Sequence, residues 1–337
     1  MLKIEAPYLI YLGDTQIPEM AKTGAGLAYW RPERCAGQLR EPGCAADLGL
    51  PDLDLNAAVQ QGVKTLVIGT AIPGGQLPDS WITRIVEAME AGMDIASGLH
   101  SPLRSIPALD KTAKETGRNI YDVRLSHGPH PIANGRKRSG QRLLTVGTDC
   151  AVGKKYSALA LHRELLARDV SATFRATGQT GVLIDGQGLA IDAVVSDFIA
   201  GAVEALAPSA DDAHWDVIEG QGSLVHPAYA GVSLGLLHGA QPDAFVVCHE
   251  YGRKQLSGFE DHRVGSIEHI ISLTEQLGRI VSKEIRCAGI SLNTSSLSEQ
   301  EALNAIQEIK EQYGLPVCDP VRFGVKEIID DLLSKES

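Results

Sequence analysis

The stretch LLTVGTDCAVGKKY at residues 143–156 constrains the fold of this chain more than any other segment. It begins as a buried strand, continues through a loop bounded by Gly147 and Gly153, and enters a helix whose apolar residues recur at helical spacing. Such a loop directs several backbone N–H groups into one concavity, and the helix N-terminus adds the positive end of a dipole. The pattern therefore predicts a phosphate-binding loop, or P-loop, in an α/β fold.

Two adjacent lysines make this P-loop unusual. Gly153 lets the backbone approach an anion closely, and Lys154 supplies a point charge. The usual motif continues with serine or threonine, whose hydroxyl holds Mg²⁺, but Lys155 occupies that position. An ammonium group has donors and no acceptor, so no metal is expected here. The alternative is a glycine loop that only turns the chain, and the strand and helix on either side disfavour it.

Length and charge limit the possible classes of protein. A chain of 337 residues exceeds the usual size of one domain, so two domains are expected. The formal net charge of -11 argues against a nucleic-acid surface, which would be basic. The one dense basic run, at residues 136–138, is predicted to be a solvated, charged linker.

The sequence contains no signal for a membrane or for an oxidising compartment. No apolar run approaches the roughly 20 residues that cross a bilayer, and the N-terminal residues lack the apolar core of a signal peptide. The 6 cysteines are scattered without a Cys-x-x-Cys pair, which is typical of reduced thiols and indicates no zinc site. A cytoplasmic protein without membrane or nucleic-acid partners is therefore expected.

Strand and helix patterns alternate along the first half of the chain. Strands are predicted at 8–12, 26–30, 64–69, 94–97 and 119–124, and helices at 55–61, 81–91 (with Ser80 as its cap) and 105–116. This alternation predicts a Rossmann-like α/β domain at residues 1–128. Because no Gly-x-Gly-x-x-Gly fingerprint follows a strand, no dinucleotide site is expected there. A linker at residues 129–141 then leads to the second domain, residues 142–337.

The second half is predicted to form a mainly parallel sheet of the P-loop NTPase type. Apolar strands at 143–146, 171–175, 215–219, 244–248 and 287–293 are separated by helices at 191–206, 267–283, 298–313 and 324–334. Ligands of such sheets bind beyond the carboxyl ends of the strands. Those ends fall at 147–155, 175–180, 219–223, 249–253 and 293–294, and their polar or glycine-rich residues predict one shared site.

Several motifs resemble known families. The P-loop GTDCAVGK at 147–154 and the EGQG at 219–222 resemble loops of dethiobiotin synthetase and its relatives. The motifs ATGQTG at 176–181, IEGQGS at 218–223 with the following His226-Pro227, and SGLH at 97–100 extend the likeness over the whole chain. In this form the chain resembles a two-domain P-loop family long catalogued as of unknown function and often labelled NAD-dependent epimerase/dehydratase. The resemblance implies an N-acetyltransferase that acts on D-glutamate with acetyl-CoA as donor, whereas the residues alone indicate an anion site.

Acetyl-CoA would bring a pyrophosphate and a ribose phosphate to the P-loop. The loop and its lysines suit that charge without Mg²⁺, whereas a kinase or hydrolase would need the metal, so CoA is favoured over ATP. Asn293 matches in place the adenine-contacting asparagine of dethiobiotin synthetase relatives, although a turn asparagine is an equal alternative. The residues expected to bind the cofactor are Gly147, Thr148, Asp149, Cys150, Val152, Gly153, Lys154, Lys155, Tyr156 and Asn293.

Acyl transfer to an amine needs a base and a stabilised oxyanion. Glu219 follows a buried strand and is the leading candidate base, with a structural carboxylate that holds the P-loop as the alternative. His226 is the next candidate, unless it only shapes the turn before Pro227. Lys155 is expected to contact the phosphates or the thioester oxygen. Cys150 could accept the acetyl group, but a small packed side chain is the favoured interpretation.

A D-glutamate substrate would bring two carboxylates. Arg175 is the first choice for one of them, because a guanidinium binds a carboxylate in bidentate fashion, and Gln179 and Thr180 lie nearby in sequence. Arg253 is a candidate for the second carboxylate, with a solvated basic loop as the alternative. Other side chains that could contribute are Lys254, Arg263, His100 and Arg124. The expected partner is thus a small amino acid, with a homo-oligomer possible.

Two other functions remain open at this point. One is an ATP-dependent ligase or kinase of the dethiobiotin synthetase type, which Lys155 disfavours. The other is a nucleotide-binding regulatory module without chemistry.

Overall fold

A computed structural model describes residues 2–72, 77–125 and 129–334. It forms two compact units, one made of Met1–His127 with Gly178–Ala193 and the other of Gly128–Thr177 with Val194–Ser337. Residues 178–193 therefore belong to the first unit, which the division of the sequence into two consecutive domains did not include. The predicted boundary at residue 128 lies outside the described residues, and so do residues 126–128, which precede the predicted linker.

The described chain has these strands in order: β1 (Leu2–Lys3), β2 (Tyr8–Gly13), β3 (Cys35–Arg40), β4 (Thr65–Ile68), β5 (Asp94–Ser97), β6 (Ile120–Asp122), β7 (Gln141–Gly147), β8 (Ala172–Arg175), β9 (Gln187–Gly188), β10 (Trp215–Ile218), β11 (Ala244–Glu250), β12 (Gln255–Leu256), β13 (Phe259–Arg263), β14 (Arg286–Asn293) and β15 (Val317–Cys318). Its helices are α1 (Lys22–Trp30), α2 (Leu55–Gln60), α3 (Asp79–Glu90), α4 (Pro107–Thr116), α5 (Lys154–Ala167), α6 (Gln179–Asp185), α7 (Ile199–Leu206), α8 (Ala230–Ala240), α9 (Ile267–Gly278), α10 (Glu299–Tyr313) and α11 (Lys326–Ser334).

The first unit is built on a parallel five-stranded sheet in the order β3-β2-β4-β5-β6. Helix α3 covers it with a fully buried stripe that includes Trp81, Ile85 and Met89. This confirms the predicted Rossmann-like α/β architecture. Two local predictions were wrong. Residues 26–30 belong to helix α1, and α3 begins at Asp79 after Pro78 without a side-chain cap from Ser80.

Helix α1 was mistaken for a strand because tertiary packing selects its small residues. A Cβ atom on Gly24 would lie 3.0 Å from both Ile10 and Leu48, so the helix can approach the sheet only with glycine there. Glycine has a low helix propensity, so a prediction from propensity does not identify this segment as a helix. The following strand, β3, was missed for a similar reason: its sequence CAGQLR has no β-branched or aromatic residue.

The second unit is built on a parallel six-stranded sheet in the order β15-β14-β11-β7-β10-β8. Strand β7 lies between β11 and β10, so the strand that precedes the P-loop is central, as predicted. The carboxyl ends of these parallel strands lie at one edge of the sheet. That edge carries the P-loop after β7, Glu219 after β10, the end of β11 at Glu250 and the end of β14 at Asn293.

The structure differs from the helix predictions around residues 191–206 and 230–240, and α9 ends at Gly278, before the predicted end at residue 283. The helix expected at 191–206 is broken into two 3-10 segments, Ile191–Ala193 and Ser196–Phe198, before α7. Helix α8 was missed because it is rich in glycine. A Cβ on Gly235 would lie 2.5 Å from Ile199, and one on Gly239 would lie 2.3 Å from the carbonyl oxygen of Ala200. These glycines let α8 pack closely against α7.

The basic run at 136–138 was predicted to be solvated, and this is wrong for Arg138, whereas Arg136 and Lys137 are exposed. The Lys137 ammonium lies 2.6 Å from Asp243 Oδ1 and donates to the carbonyl of Gln241. The Arg138 guanidinium donates to the carbonyl of Ala207 at 2.7 Å, and its side chain is 11% exposed. Because a buried cation must find acceptors, Arg138 ties the predicted linker to the rest of the second unit, and Lys137 adds an exposed ion pair with Asp243. Among the helices that the structure describes, none is both long and apolar enough to cross a membrane.

Candidate active site

The P-loop leads from β7 into α5 with a backbone that is open to an anion. Gly153 occupies the N-cap position of α5 at φ +105°, a conformation that favours glycine, and it makes no side-chain cap. The first-turn N–H groups of a helix have no intrahelical acceptor. Without a capping side chain, those of α5 are suited to an anion, and the helix dipole favours negative charge at the same place.

The two lysines of the loop have different neighbours. The Lys154 ammonium donates to the carbonyl of Asp149 at 2.7 Å, and the residue is 7% exposed. The Lys155 ammonium lies 4.5 Å from the centroid of the Tyr156 ring. Burial lowers the pKa of Lys155, and the negative charge of Glu219 opposes that shift. Lys155 thus acts electrostatically on Glu219 from the position that a metal-binding hydroxyl occupies in the usual motif.

Asp149 fastens the P-loop to the segment after β11. Its fully buried carboxylate accepts hydrogen bonds from Arg253 Nη1 at 2.7 Å, from the Ser257 N–H at 2.8 Å and from the Cys150 N–H at 2.6 Å. Arg253 also donates to Glu250 and to the carbonyl of Cys150. Arg253 is therefore an internal partner of the P-loop in this structure, and its expected contact with a substrate carboxylate stays a prediction.

Glu219 joins the carboxyl ends of three strands. It is 3% exposed, and its Oε2 accepts a hydrogen bond from the Thr177 N–H at 3.0 Å. The hydroxyl of Thr177 donates to the Glu219 carbonyl, and the next residue, Gly220, donates its N–H to Thr145 Oγ1 at 2.9 Å. These contacts tie β10 to β8 and β7. They match the structural carboxylate that was the alternative to a catalytic base.

His226 is fully buried between two aromatic rings, at 4.6 Å from the Tyr229 centroid and 4.8 Å from that of Phe259. Its Nδ1 accepts from the Ala228 N–H at 3.2 Å, so a neutral ring carries its proton on Nε2. That Nε2 has no hydrogen-bond partner among the described residues and lies 3.9 Å from Asp149 Oδ1. A protonated Nε2 cannot accept a proton, so this geometry does not fit the expected base.

The side chains of Asp149, Cys150 and His226 place one potential metal-ligand atom each within 4.8 Å of the others. The chemistry of this set fits a metal ion poorly. Ligands must be deprotonated, but His226 Nε2 carries the proton and burial raises the pKa of the Cys150 thiol. The Asp149 carboxylate is neutralised by Arg253. A neutral thiol also disfavours Cys150 as an acyl acceptor.

His249 is a functional candidate that the sequence reasoning missed. It lies near the end of β11, and its Nδ1 is 2.9 Å from Thr148 Oγ1 in the P-loop. Burial lowers the pKa of His249, and the charge of Arg253 lowers it further. The available signal was its position, because a histidine at the carboxyl end of a buried parallel strand lies where ligands bind.

A cavity of about 290 Å³ adjoins the P-loop within the second unit. Asn293 lies at its wall, and Asp319 shapes one side by accepting hydrogen bonds from the Val321 and Arg322 N–H groups at 3.0 and 3.1 Å. The cavity is lined by Val152, Gly153, Tyr156, Ser157, Ser291, Asn293, Ser295, Asp319, Pro320, Val321 and Arg322. The predicted cofactor residues Val152, Gly153, Tyr156 and Asn293 therefore share one cavity.

The residues expected to bind the substrate do not form one group in the second unit. Arg175 Nε donates to Asp216 Oδ1 at 2.7 Å, and Asp216 pairs in register with Thr173, near the amino end of the sheet. The Arg175 side chain therefore runs back along the sheet, away from the carboxyl edge where it was expected. Gln179 and Thr180 begin α6 in the first unit. Three other candidates, His100, Lys254 and Arg263, are exposed, and Arg124 donates to the carbonyl of Gly98 and pairs with Asp192.

Protein-family models match both halves of the chain. A model described as the DUF1611 Rossmann-like domain matches residues 34–126, and one described as the DUF1611 P-loop domain matches residues 131–329. A solved structure of a DUF1611 family protein from Anabaena variabilis ATCC 29413 is 33% identical with a TM-score of 0.84, and the match covers 98% of this chain and 100% of that one.

Two curated relatives are similar over their full length, and each is named D-glutamate N-acetyltransferase. The protein from Tritonibacter scottomollicae is 48% identical over 98% of this chain and 99% of its own length. The protein from Pseudoalteromonas sp is 43% identical over 98% of this chain and all of its own. Sequence identity of 43% and 48% over 98% of the chain identifies it as an acyltransferase. The resemblance first drawn from its motifs is confirmed: the chain belongs to the DUF1611 family, with a Rossmann-like N-terminal domain and a P-loop C-terminal domain.

Proposed function

We propose that the protein transfers the acetyl group of acetyl-CoA to the amine of D-glutamate or a similar amino acid. The observation that carries this proposal is the altered P-loop, in which Lys155 stands where the usual motif holds Mg²⁺. The names of the two full-length relatives supply the reaction and the substrate. The donor is inferred from the loop, because a phosphate group with no metal to bridge it suits CoA binding better than phosphoryl transfer.

The pyrophosphate of CoA is proposed to bind the P-loop. The open N-terminus of α5 offers N–H groups, and Lys154 and Lys155 supply positive charge. Burial lowers the pKa of both lysines because it disfavours their charged form, and a bound anion would stabilise that form. The adenine is proposed to enter the adjoining cavity beside Tyr156 and Asn293. In this arrangement an aromatic ring and an amide side chain face the base, which is the mixture of apolar and polar groups usual for small-molecule sites.

The two carboxylates of the substrate are proposed to bind arginine and polar side chains. Arg175, Gln179, Thr180 and Arg253 stay the proposed residues. Arg253 is the one that touches the P-loop, and it would reach a carboxylate by releasing Glu250, the more exposed of its two partners. A guanidinium can hold two carboxylates in its fork, so Asp149 need not be released.

The function is tested by ligand binding and by product formation. A ligand that binds the native state raises the melting temperature, so acetyl-CoA and CoA are expected to stabilise the protein, and NAD is not. Acetyl-CoA with D-glutamate should release free thiol, which a colorimetric thiol reagent measures, and L-glutamate serves as the stereochemical comparison. Stabilisation by Mg·ATP with no response to CoA and no thiol release would favour the ATP-dependent ligase instead.

The role of Lys155 gives a sharper prediction. Wild-type acetyl transfer is expected to be unchanged by excess EDTA, whereas Lys155→Thr restores the usual motif and should weaken acetyl-CoA binding. A charge-assisted hydrogen bond is worth about 1.5–3 kcal/mol, so KM for acetyl-CoA should rise roughly ten- to a hundred-fold. Lys64→Thr, an exposed lysine of the first unit, is the matched control. Loss of wild-type activity on chelation, with recovery on adding Mg²⁺, would contradict the metal-free site.

A further inference from the structure

One histidine lies at the P-loop in an arrangement suited to proton transfer. His249 is on β11, which pairs directly with β7, the strand that leads into the P-loop. Two contacts lock the end of β11 to the loop: the Thr148 N–H donates to the Cys248 carbonyl at 3.1 Å, and His249 Nδ1 lies 2.9 Å from Thr148 Oγ1. The imidazole is therefore fixed against the residue that starts the phosphate-binding loop.

The second ring nitrogen of His249 remains available. No described residue is within hydrogen-bond distance of its Nε2, and the side chain is only partly buried. If Nδ1 donates its proton to Thr148 Oγ1, then Nε2 has a free lone pair. The bond to Thr148 is compatible with the tautomer that a base needs, because a hydroxyl can accept the Nδ1 proton, and it holds the ring in place.

The charges around His249 favour its neutral form. Glu250 and Arg253 lie on its own segment, and Asp149 and Lys154 lie on the P-loop against which it packs. Asp149 and Glu250 are both paired with Arg253, so the carboxylates that would stabilise an imidazolium are already engaged. Burial lowers the pKa of His249, which leaves the ring neutral at pH 7.

The other candidate bases are committed elsewhere. Glu219 accepts a backbone hydrogen bond from Thr177 and joins strands at the sheet edge. His226 has its proton on Nε2, is fully buried, and faces Asp149. Of the groups considered for this role, His249 alone combines a fixed ring, a neutral state and an open nitrogen.

We propose that His249 is the general base of acetyl transfer, accepting a proton from the attacking amine. The assignment rests on the proposed function. The substrate ammonium first loses one proton to water. The neutral amine then attacks the thioester carbonyl carbon, and Nε2 of His249 takes the second proton as the C–N bond forms. The C–S bond breaks with its electron pair on sulfur, and the imidazolium returns the proton to give CoA thiol and the amide.

The experiment compares His249→Asn with wild type. Asparagine places a polar atom near the former Nδ1, so the bond to Thr148 can persist while the base is lost. General bases contribute about a hundred- to ten-thousand-fold, and kcat should fall within that range. The wild-type profile of kcat/KM should contain a limb below pH 6.5, the ordinary pKa of histidine, that the variant lacks. KM for acetyl-CoA and the CoA-induced rise in melting temperature should be unchanged.

Two further variants separate a base from a structural residue. Thr148→Val removes the hydroxyl that holds the His249 ring and should lower kcat by about tenfold or more, whereas Thr148→Ser keeps the hydroxyl and should retain kcat near that of wild type. His269→Asn, on the exposed face of α9, is the matched control. These variants and the wild-type pH limb test the assignment even if His249→Asn fails to fold.

The outcomes distinguish this assignment from the proposed function. Wild-type thiol release with a kcat for His249→Asn within about threefold of wild type, and with the acidic limb retained, would overturn the base and leave the function standing. Absence of wild-type thiol release from acetyl-CoA and D-glutamate would overturn both.

Discussion

Replacing Asp149 with alanine is expected to lower the free energy of unfolding by about 3–5 kcal/mol, because it removes the fully buried one of the two carboxylates that pair with the largely buried Arg253 guanidinium. Asp149 is fully buried, and the side chain of Arg253 is 17% exposed. The same change removes the acceptor of the Ser257 and Cys150 N–H groups. The P-loop would thereby lose its connection to the segment after β11, and acetyl-CoA binding should fall as well. Chemical denaturation followed by circular dichroism measures the loss.

Asp149→Asn and a double-mutant cycle are the controls for that prediction. Asparagine keeps an oxygen acceptor but loses the charge, so its effect should be smaller. The cycle of Asp149→Ala with Arg253→Ala isolates the pair, and neighbours in one ion-pair network couple by about 0.5–3 kcal/mol. A free energy of unfolding for Asp149→Ala within about 1 kcal/mol of wild type would mean that the pair contributes little, as solvent-exposed pairs do.

Replacing Gly220 with alanine is expected to destabilise the second unit by about 3 kcal/mol or more, the upper end of the usual cost of overpacking. A Cβ atom there would lie 1.7 Å from the carbonyl oxygen of Thr145 and 3.1 Å from Lys154 Cδ. The first of these is a backbone atom of the central strand β7 and cannot move aside like a flexible side chain. Because β7 carries the P-loop, CoA binding should weaken together with stability, and thermal melting with and without CoA measures both.

Gly231 offers the matched control in the same unit. It lies on the exposed surface of α8, and a Cβ there would meet no atom within 4 Å. Gly231→Ala should therefore be neutral or stabilise the helix by up to about 1 kcal/mol. Equal melting temperatures for Gly220→Ala and wild type would show that β7 shifts without cost, which would contradict the close approach at this loop.

The outline of both sheets could be predicted because several of their strands contain a short apolar run. Residues 66–68 and 143–146 show this, since their hydrophobic pattern alone places them in buried strands. Helices whose residues are selected by close packing against another element were not predicted. Helices α1 and α8 are glycine-rich because another element packs against them at those glycines, and propensity records only the cost of glycine.

Some features of the candidate site could likewise be predicted from the sequence, and others could not. The P-loop was predictable because glycines, lysines and the start of a helix follow one another along the chain. The directions of charged side chains were not: Arg175 runs back to Asp216, and Arg253 turns inward to Asp149, where a substrate contact was expected for each. A sequence shows that an arginine follows a strand, but the partner that neutralises it lies far along the chain and depends on strand order.

The sequence by itself determined that this protein has an α/β fold with a P-loop in which Lys155 stands at the position of the usual metal-binding hydroxyl. These features rest on spacing within short segments, where the pattern of apolar and glycine residues fixes the local backbone. Only the tertiary structure decided which groups meet at that site. His249 and Thr148 are 101 positions apart, and Arg253 and Asp149 are 104 apart. They meet because β11 pairs with β7, although β8 and β10 come between them in the chain, and strand order in a parallel sheet is set by packing of whole elements and not by local pattern.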